Sequence, residues 1–137
     1  MKNKIILIGD TGFIGSKIKE KFIKKKILCF NSKNLNLKNK DKINKVAHKL
    51  KNSILIYAAG KKRTHGDTFE NFQKNINFFL NILSFFVNYK PKRVIFLSSV
   101  EVYGEYKKNK KINENTGTNP KTLHSQAKLI QEDTLKY

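Results

Sequence analysis

At 137 residues, 39% of them hydrophobic, the chain is long enough for one packed core, too short for two, and too apolar to be disordered. Its formal net charge of +19 rests on 27 lysines and only two arginines, Arg63 and Arg93, with the lysines spread over every segment. Arginine dominates specific phosphate and base contacts, so dispersed lysines read as solvated faces, and a basic nucleic-acid-binding module is left resting on charge alone.

The charged start runs directly into "KIILIG", a continuous apolar run of the kind shown by a strand covered on both faces, with no signal-peptide pattern. A helix follows, with Ile14, Ile18 and Phe22 at a spacing of four. "KILCF" is the second strand; its Cys29, the single cysteine, cannot form an internal disulfide and reads as a small buried hydrophobe. "NKDKINKVAHKLKN" sets Ile43, Val46, Ala47 and Leu50 at i, i+3, i+4 and i+7, a one-sided amphipathic helix. "SILIY" is the third strand. A long helix over about residues 68–88 carries Phe72, Ile76, Phe79, Leu80, Leu83 and Val87 on one stripe and ends before Pro91. Its apolar part is interrupted by Asn77, Asn81 and Ser84 and is too short to cross a bilayer, so the expected location is the cytoplasm. "RVIFL" is the fourth strand, "GEYKKNKKINENTGTNP" a loop, and residues from His124 to Lys136 the last helix.

Strands alternating with helices call for right-handed crossovers and a parallel sheet. The expectation is a Rossmann-like, doubly wound α/β sheet in the strand order 3-2-1-4. At the first strand–helix junction stands "GDTGFIGSK", with Gly9, Gly12 and Gly15 at G-x-x-G-x-x-G spacing. The first glycine permits the tight turn, the second lets a pyrophosphate approach the backbone, and the third lets helix and strand pack closely. The helix start then presents unpaired N–H groups and a positive dipole end to the phosphates. This pattern points to NAD or NADP. The acid that reads the ribose of NAD belongs at the end of the second strand, where this chain has Asn31, Ser32 and Lys33. Asparagine can hydrogen-bond a hydroxyl and Lys33 could meet a 2′-phosphate, a slight lean toward NADP.

"LIGDTGFIGSKI", "IYAAGKK", "KNINFFLNIL" and "VIFLSSVEVYGE" follow in this order. Together they resemble the extended short-chain dehydrogenase/reductases, the NAD-dependent epimerase/dehydratase family that acts on nucleotide sugars. The resemblance spans the chain but only the first half or so of such an enzyme. It implies that Thr11, Phe13 and Ile14 lie with the three glycines beside the pyrophosphate, and that Asn36 and Leu37 lie near the adenine. It implies also that Ala58, Ala59, Gly60 and Lys61 line the cofactor, that Asn75 is the asparagine of an N-x-N helix, and that Ser99 hydrogen-bonds the reacting sugar oxygen. Without that resemblance, Ser98 and Ser99 read as an ordinary strand-end turn.

In the family a helix after this loop carries Y-x-x-x-K, with a proline four residues before the tyrosine. Pro120 and Lys128 fit, and the tyrosine position is His124. Tyr57/Lys61, Tyr103/Lys107 and Tyr106/Lys110 match the bare spacing but not the place, and are chance pairs in a lysine-rich chain. By resemblance the tyrosine passes a proton to or from a sugar hydroxyl, while Lys128 holds the cofactor ribose. A histidine beside Lys128 has its pKa pushed down from about 6.5 and is mostly neutral at pH 7. The site expected is thus Ser99, His124 and Lys128, with one catalytic occupant changed and no metal.

Further expectations concern the whole. Residues 1–137 read as an incomplete NAD(P)-binding domain cut after the helix of Lys128, without the C-terminal region that holds a nucleotide sugar, and with its fourth strand as an exposed edge. The chain is then either the cofactor-binding part of an epimerase, dehydratase or reductase, or a non-catalytic dinucleotide-binding remnant. Its partners by resemblance are a nucleotide-sugar substrate and a second copy, paired through the 68–88 and 124–136 helices, with no specific nucleic acid and no membrane.

Overall fold

The computed structural model describes residues 4–104 and 111–136. Part of the loop expected over 104–120, and Tyr106, Lys107 and Lys110 of the chance pairs, lie outside them. The chain divides into two compact units, one formed by Met1–Gly60 and Asn77–Leu97, the other by Lys61–Ile76 and Ser98–Tyr137.

The first unit is a four-stranded parallel sheet with helices between its strands. Its strands are β1 (Ile5–Ile8), β2 (Ile27–Phe30), β3 (Ile54–Tyr57) and β4 (Arg93–Phe96), each four residues, mostly of branched or aromatic side chains. Helix α1 (Phe13–Lys21) joins β1 to β2, and α2 (Lys40–Ala47), capped by the Asn39 side chain on the Lys42 N–H, leads to β3. The core holds Ile6, Leu7, Leu55 and Ile56 of the sheet with Ile43, Ala47 and Leu50 of the α2 segment. Tyr57 packs edge-on to Phe79, with ring centroids 5.3 Å apart, and Phe96 stacks on Tyr57 at 6.1 Å.

The doubly wound class is as expected, but the strand order is not: it is β2-β1-β3-β4, in place of 3-2-1-4. After β2 the chain makes one helical crossover and lands on the free side of β1, so β1 has β2 on one flank and β3 on the other. The direction of winding therefore reverses between β1 and β3, and ligands of open α/β sheets bind outside the carboxyl ends of the strands at such a point. The register sharpens this. Ile8 pairs with Phe30 and with Tyr57, and Tyr57 with Phe96, so all four strands end in one row. Gly9, Asn31 and Ala58, each the next residue of its strand, are brought side by side. β4 forms one edge of the sheet, with Arg93 and Ile95 exposed on one face.

Two helices differ from expectation. In α1 the Ile14–Ile18–Phe22 stripe is packed only in part: Ile14 is 54% exposed, Ile18 and Phe22 are half-buried, and Gly15 is the helix's buried residue. The first turn of the helix meets the glycine turn by bare backbone, since a Cβ on Gly15 would fall 2.0 Å from the Gly9 carbonyl oxygen. Helix α3 (Phe69–Leu83) stops five residues short of 88, because the chain tightens into i→i+3 bonds from Phe85 to Ile82 and Phe86 to Leu83. Its buried residues are Asn75, Phe79 and Ile82, while Leu80 and Val87 of the expected stripe are exposed.

In the second unit, a 3₁₀ turn at Val100–Tyr103 is followed, past the loop, by α4 (Leu123–Lys136). Val102, Ser125, Ala127 and Gln131 are buried here. The residue Gly104 has φ +83, and an added Cβ would stand 2.6 Å from the Asn119 carbonyl oxygen, so the glycine of "VYG" is demanded by the fold.

Candidate dinucleotide site and family

The three turn glycines serve different ends. Gly9 has φ +99, and a Cβ there would lie 2.7 Å from the Ala58 carbonyl carbon and oxygen. On Gly15 a Cβ would fall 2.0 Å from the Gly9 carbonyl oxygen. Both positions are closed to any side chain by the protein's own backbone. Gly12 is different. Its φ of −73 and ψ of 164 suit any residue, and a Cβ would meet only the Gly9 oxygen, at an unstrained 3.5 Å. Nothing among the described residues requires glycine at 12, and its bare backbone leaves room for a group approaching from outside. Gly12 is also the N-cap of α1 and offers no side chain to the helix's first N–H groups. The cradle therefore fits a pyrophosphate. Thr11, Phe13 and Ile14 are exposed around it.

At the end of β2 the Asn31 amide nitrogen donates to Asp10 Oδ1 at 2.9 Å, and Asn31 Oδ1 accepts the Lys33 N–H at 2.9 Å. Ser32 and Lys33 are exposed. Asn36 is exposed and holds the Lys38 N–H, whereas Leu37 is buried with its carbonyl accepting from the Asn81 amide at 2.8 Å. Ala58 and Ala59 are half-buried, and the Ala58 N–H donates to the Ile8 carbonyl.

In the second unit Asn75, 3% exposed, spends both ends of its amide on Lys61: Oδ1 accepts the Lys61 N–H at 2.6 Å and Nδ2 donates to its carbonyl at 3.1 Å. Gln131 Nε2 in turn donates to the Asn75 carbonyl at 2.8 Å. Asn75 thereby fixes the start of the segment after β3. Ser99 is the N-cap of the 3₁₀ turn, its Oγ accepting the Glu101 N–H at 3.3 Å, and Ser98 hydrogen-bonds Glu132.

His124 and Lys128 share a face of α4, as i and i+4 must. Burial lowers the His124 pKa first, and the Lys128 charge lowers it further, against smaller opposing effects of Glu101, Asp67 and a hydrogen bond with the Lys61 backbone. The neutral imidazole expected from the sequence holds in direction, with burial as the larger cause. Burial also drives the Lys128 ammonium down to about 8, partly opposed by Glu132. The unfolded lysine, near 10.5, binds its proton more tightly than the folded one between those values. Stability is thus expected to rise as pH climbs from about 8 toward 10, and Lys128→Met should flatten that rise in denaturant titrations; an unchanged slope would contradict the burial of the charged group.

Sequence reasoning missed the groups that seat these residues. Asp67 caps α4 from 56 and 57 residues away, its Oδ2 accepting the Leu123 N–H at 3.2 Å and its Oδ1 that of His124 at 2.8 Å. Thr122 and Ser125 cap each other's N–H groups, the Thr122 N–H donating to Ser125 Oγ at 3.1 Å and the Ser125 N–H to Thr122 Oγ1 at 3.0 Å. Asp10 stood in plain view inside the glycine pattern as an unassigned residue.

A parallel sheet wound about a glycine turn, with a serine turn and a lysine-bearing helix following in the chain, is a Rossmann-like α/β fold. The profile of the NAD dependent epimerase/dehydratase family matches residues 5–137, and the chain belongs to that family. No curated protein matches it significantly. Among solved structures, it is similar to the UDP-Glc/GlcNAc 4-epimerase of Campylobacter jejuni (TM-score 0.81, 16% identity, covering 98% of this chain and 48% of that one). It is similar also to the Bifidobacterium longum UDP-glucose 4-epimerase in complex with NAD+ and UDP (0.84, 20%, 98% and 48%). A third is RMD of Pseudomonas aeruginosa complexed with NADPH (0.77, 18%, 96% and 47%). At these identities the likeness establishes the fold, and the chain spans about half the length of the structures it matches. Among the described residues no helix is long and apolar enough to cross a membrane.

Proposed function

We propose that the chain binds a nicotinamide dinucleotide at the carboxyl edge of its sheet, as the cofactor-binding part of an enzyme acting on nucleotide sugars. The observation that carries this is Gly12, the one turn glycine that internal packing leaves unexplained. In this reading the Gly9–Gly15 turn and the start of α1 hold the pyrophosphate through backbone N–H groups, Asn31 faces the ribose end, and Ala58 and Ala59 form the floor. The nicotinamide, when bound, supplies reversible hydride transfer at a sugar carbon. Lys128 holds ribose hydroxyls, Ser99 a sugar oxygen, and His124 stands at the proton-transfer position. Membership of the family and the likeness to UDP-sugar 4-epimerases support this substrate class.

A second reading, a dinucleotide binder without turnover, is favoured by His124 itself, a half-buried histidine at the position where the family carries tyrosine. Calorimetry with NAD and NADP tests the common core of both. Binding is expected in the wild type and is weakened in Lys128→Ala, with a smaller effect from His124→Ala, since proton transfer adds little to ground-state affinity. No heat of binding with either dinucleotide would remove both readings.

A further inference from the structure

Where this class of fold places an acid toward the cofactor ribose, the chain has the neutral Asn31. A negative charge is nevertheless present one strand away. Asp10, 3% exposed, stands inside the glycine turn and accepts the Asn31 amide on Oδ1 at 2.9 Å and Lys19 Nζ on Oδ2 at 2.8 Å. Burial alone would raise its pKa, but the hydrogen bonds from Lys19 and Asn31 and the Lys19 charge outweigh it and hold the carboxyl below its ordinary value. The group is therefore an anion at neutral pH. Its two partners differ in kind: the Lys19 side chain is 55% exposed and screened by water, while the Asn31 contact is part-buried.

We propose that Asp10, from within the glycine turn, replaces the acid missing at the end of β2 and makes this chain select NAD over NADP. The proposal rests on the nicotinamide-dinucleotide reading above. The Asp10 carboxylate fixes the flip of the Asn31 carboxamide, since the reverse orientation would set two oxygens against each other, and the Lys33 N–H on Asn31 Oδ1 locks the same choice. A carboxamide so held keeps one N–H and one lone pair for a ribose hydroxyl, which both donates and accepts. A 2′-phosphate has only acceptors for that lone pair, and brings about −2 charge toward a buried anion through a single intervening amide. Lys33, on which the opposite preference would depend, has an exposed side chain whose charge is screened.

The test is calorimetric titration of the full chain with NAD and with NADP, in the wild type, Asp10→Asn and Lys19→Ala. The wild type is expected to favour NAD. Asp10→Asn should shrink the ratio of the two affinities by about tenfold, and Lys19→Ala, which keeps the carboxylate and removes its counter-charge, should enlarge it. Lys19→Ala gives the answer even if Asp10→Asn fails to fold. A wild type that prefers NADP, or a ratio that stays put in Lys19→Ala, overturns the role of Asp10 while leaving dinucleotide binding intact. Failure of the wild type to bind either dinucleotide overturns the proposed function and this inference with it.

Discussion

Gly15→Ala is expected to cost the first unit its fold, whereas Gly12→Val is expected to leave it folded and unable to bind a dinucleotide. The added methyl of Gly15→Ala would lie 2.0 Å from the Gly9 carbonyl oxygen and 2.8 Å from its carbon, and backbone on both sides cannot give way as a side-chain tip can. Gly9 is itself pinned, its N–H donating to the Phe30 carbonyl at 2.7 Å. Helix α1 must then lift from β1, which puts the loss at about 3 kcal/mol or more, a large share of a small domain's stability. The same reasoning makes Gly12→Val harmless to the fold, with its first side-chain carbon in ordinary contact at 3.5 Å. Valine's methyl groups instead occupy the space over the helix start. Thermal melts should place Gly12→Val within a few degrees of the wild type and Gly15→Ala far below it. A Gly12→Val chain that binds NAD as well as the wild type would show that the turn is not the phosphate cradle.

Fused to the C-terminal half of a UDP-glucose 4-epimerase, the His124→Tyr chain is expected to turn over sugar nucleotide faster than the histidine chain, on the order of 10²-fold. The address itself is well built. Asp67 fixes the first two N–H groups of α4, and Thr122 and Ser125 cap each other before it, so residue 124 starts a firm helix rather than a frayed end. What is altered is the group it presents. A phenol beside Lys128 has its pKa drawn down toward the working range, while the imidazole, its pKa lowered by burial and by the Lys128 charge, is already neutral and is shorter. Equal rates of the two fusions in a coupled epimerase assay would mean that position 124 is not the proton-transfer site.

The sequence made the strands and the glycine turn legible because both are local: four apolar runs, and three glycines at fixed spacing on a strand–helix junction. The strand order was not, because a run of apolar residues does not say on which flank of β1 a returning strand lands. The end of α3 was misplaced for a similar reason. Apolar periodicity continues to Val87, but backbone geometry tightens after Leu83 and leaves Val87 in solvent. Among site residues, the glycines and the His124–Lys128 spacing were readable. Their supports were not: Asp67 reaches α4 across more than fifty residues, and Asp10 meets Asn31 across 21. Asn75 was visible as a motif, yet only the fold shows that its amide is spent on Lys61.

The most direct test of the dinucleotide site is an NAD titration followed residue by residue through backbone amide resonances. The largest shifts are expected at the glycine turn, from Gly9 through Gly15, with smaller ones at Asn31–Lys33 and Ala58–Gly60, and none of these in Gly12→Val. Shifts scattered over the lysine-rich surface, with the Gly9–Gly15 amides unmoved at saturating NAD, would contradict the assignment of the cofactor to this edge of the sheet.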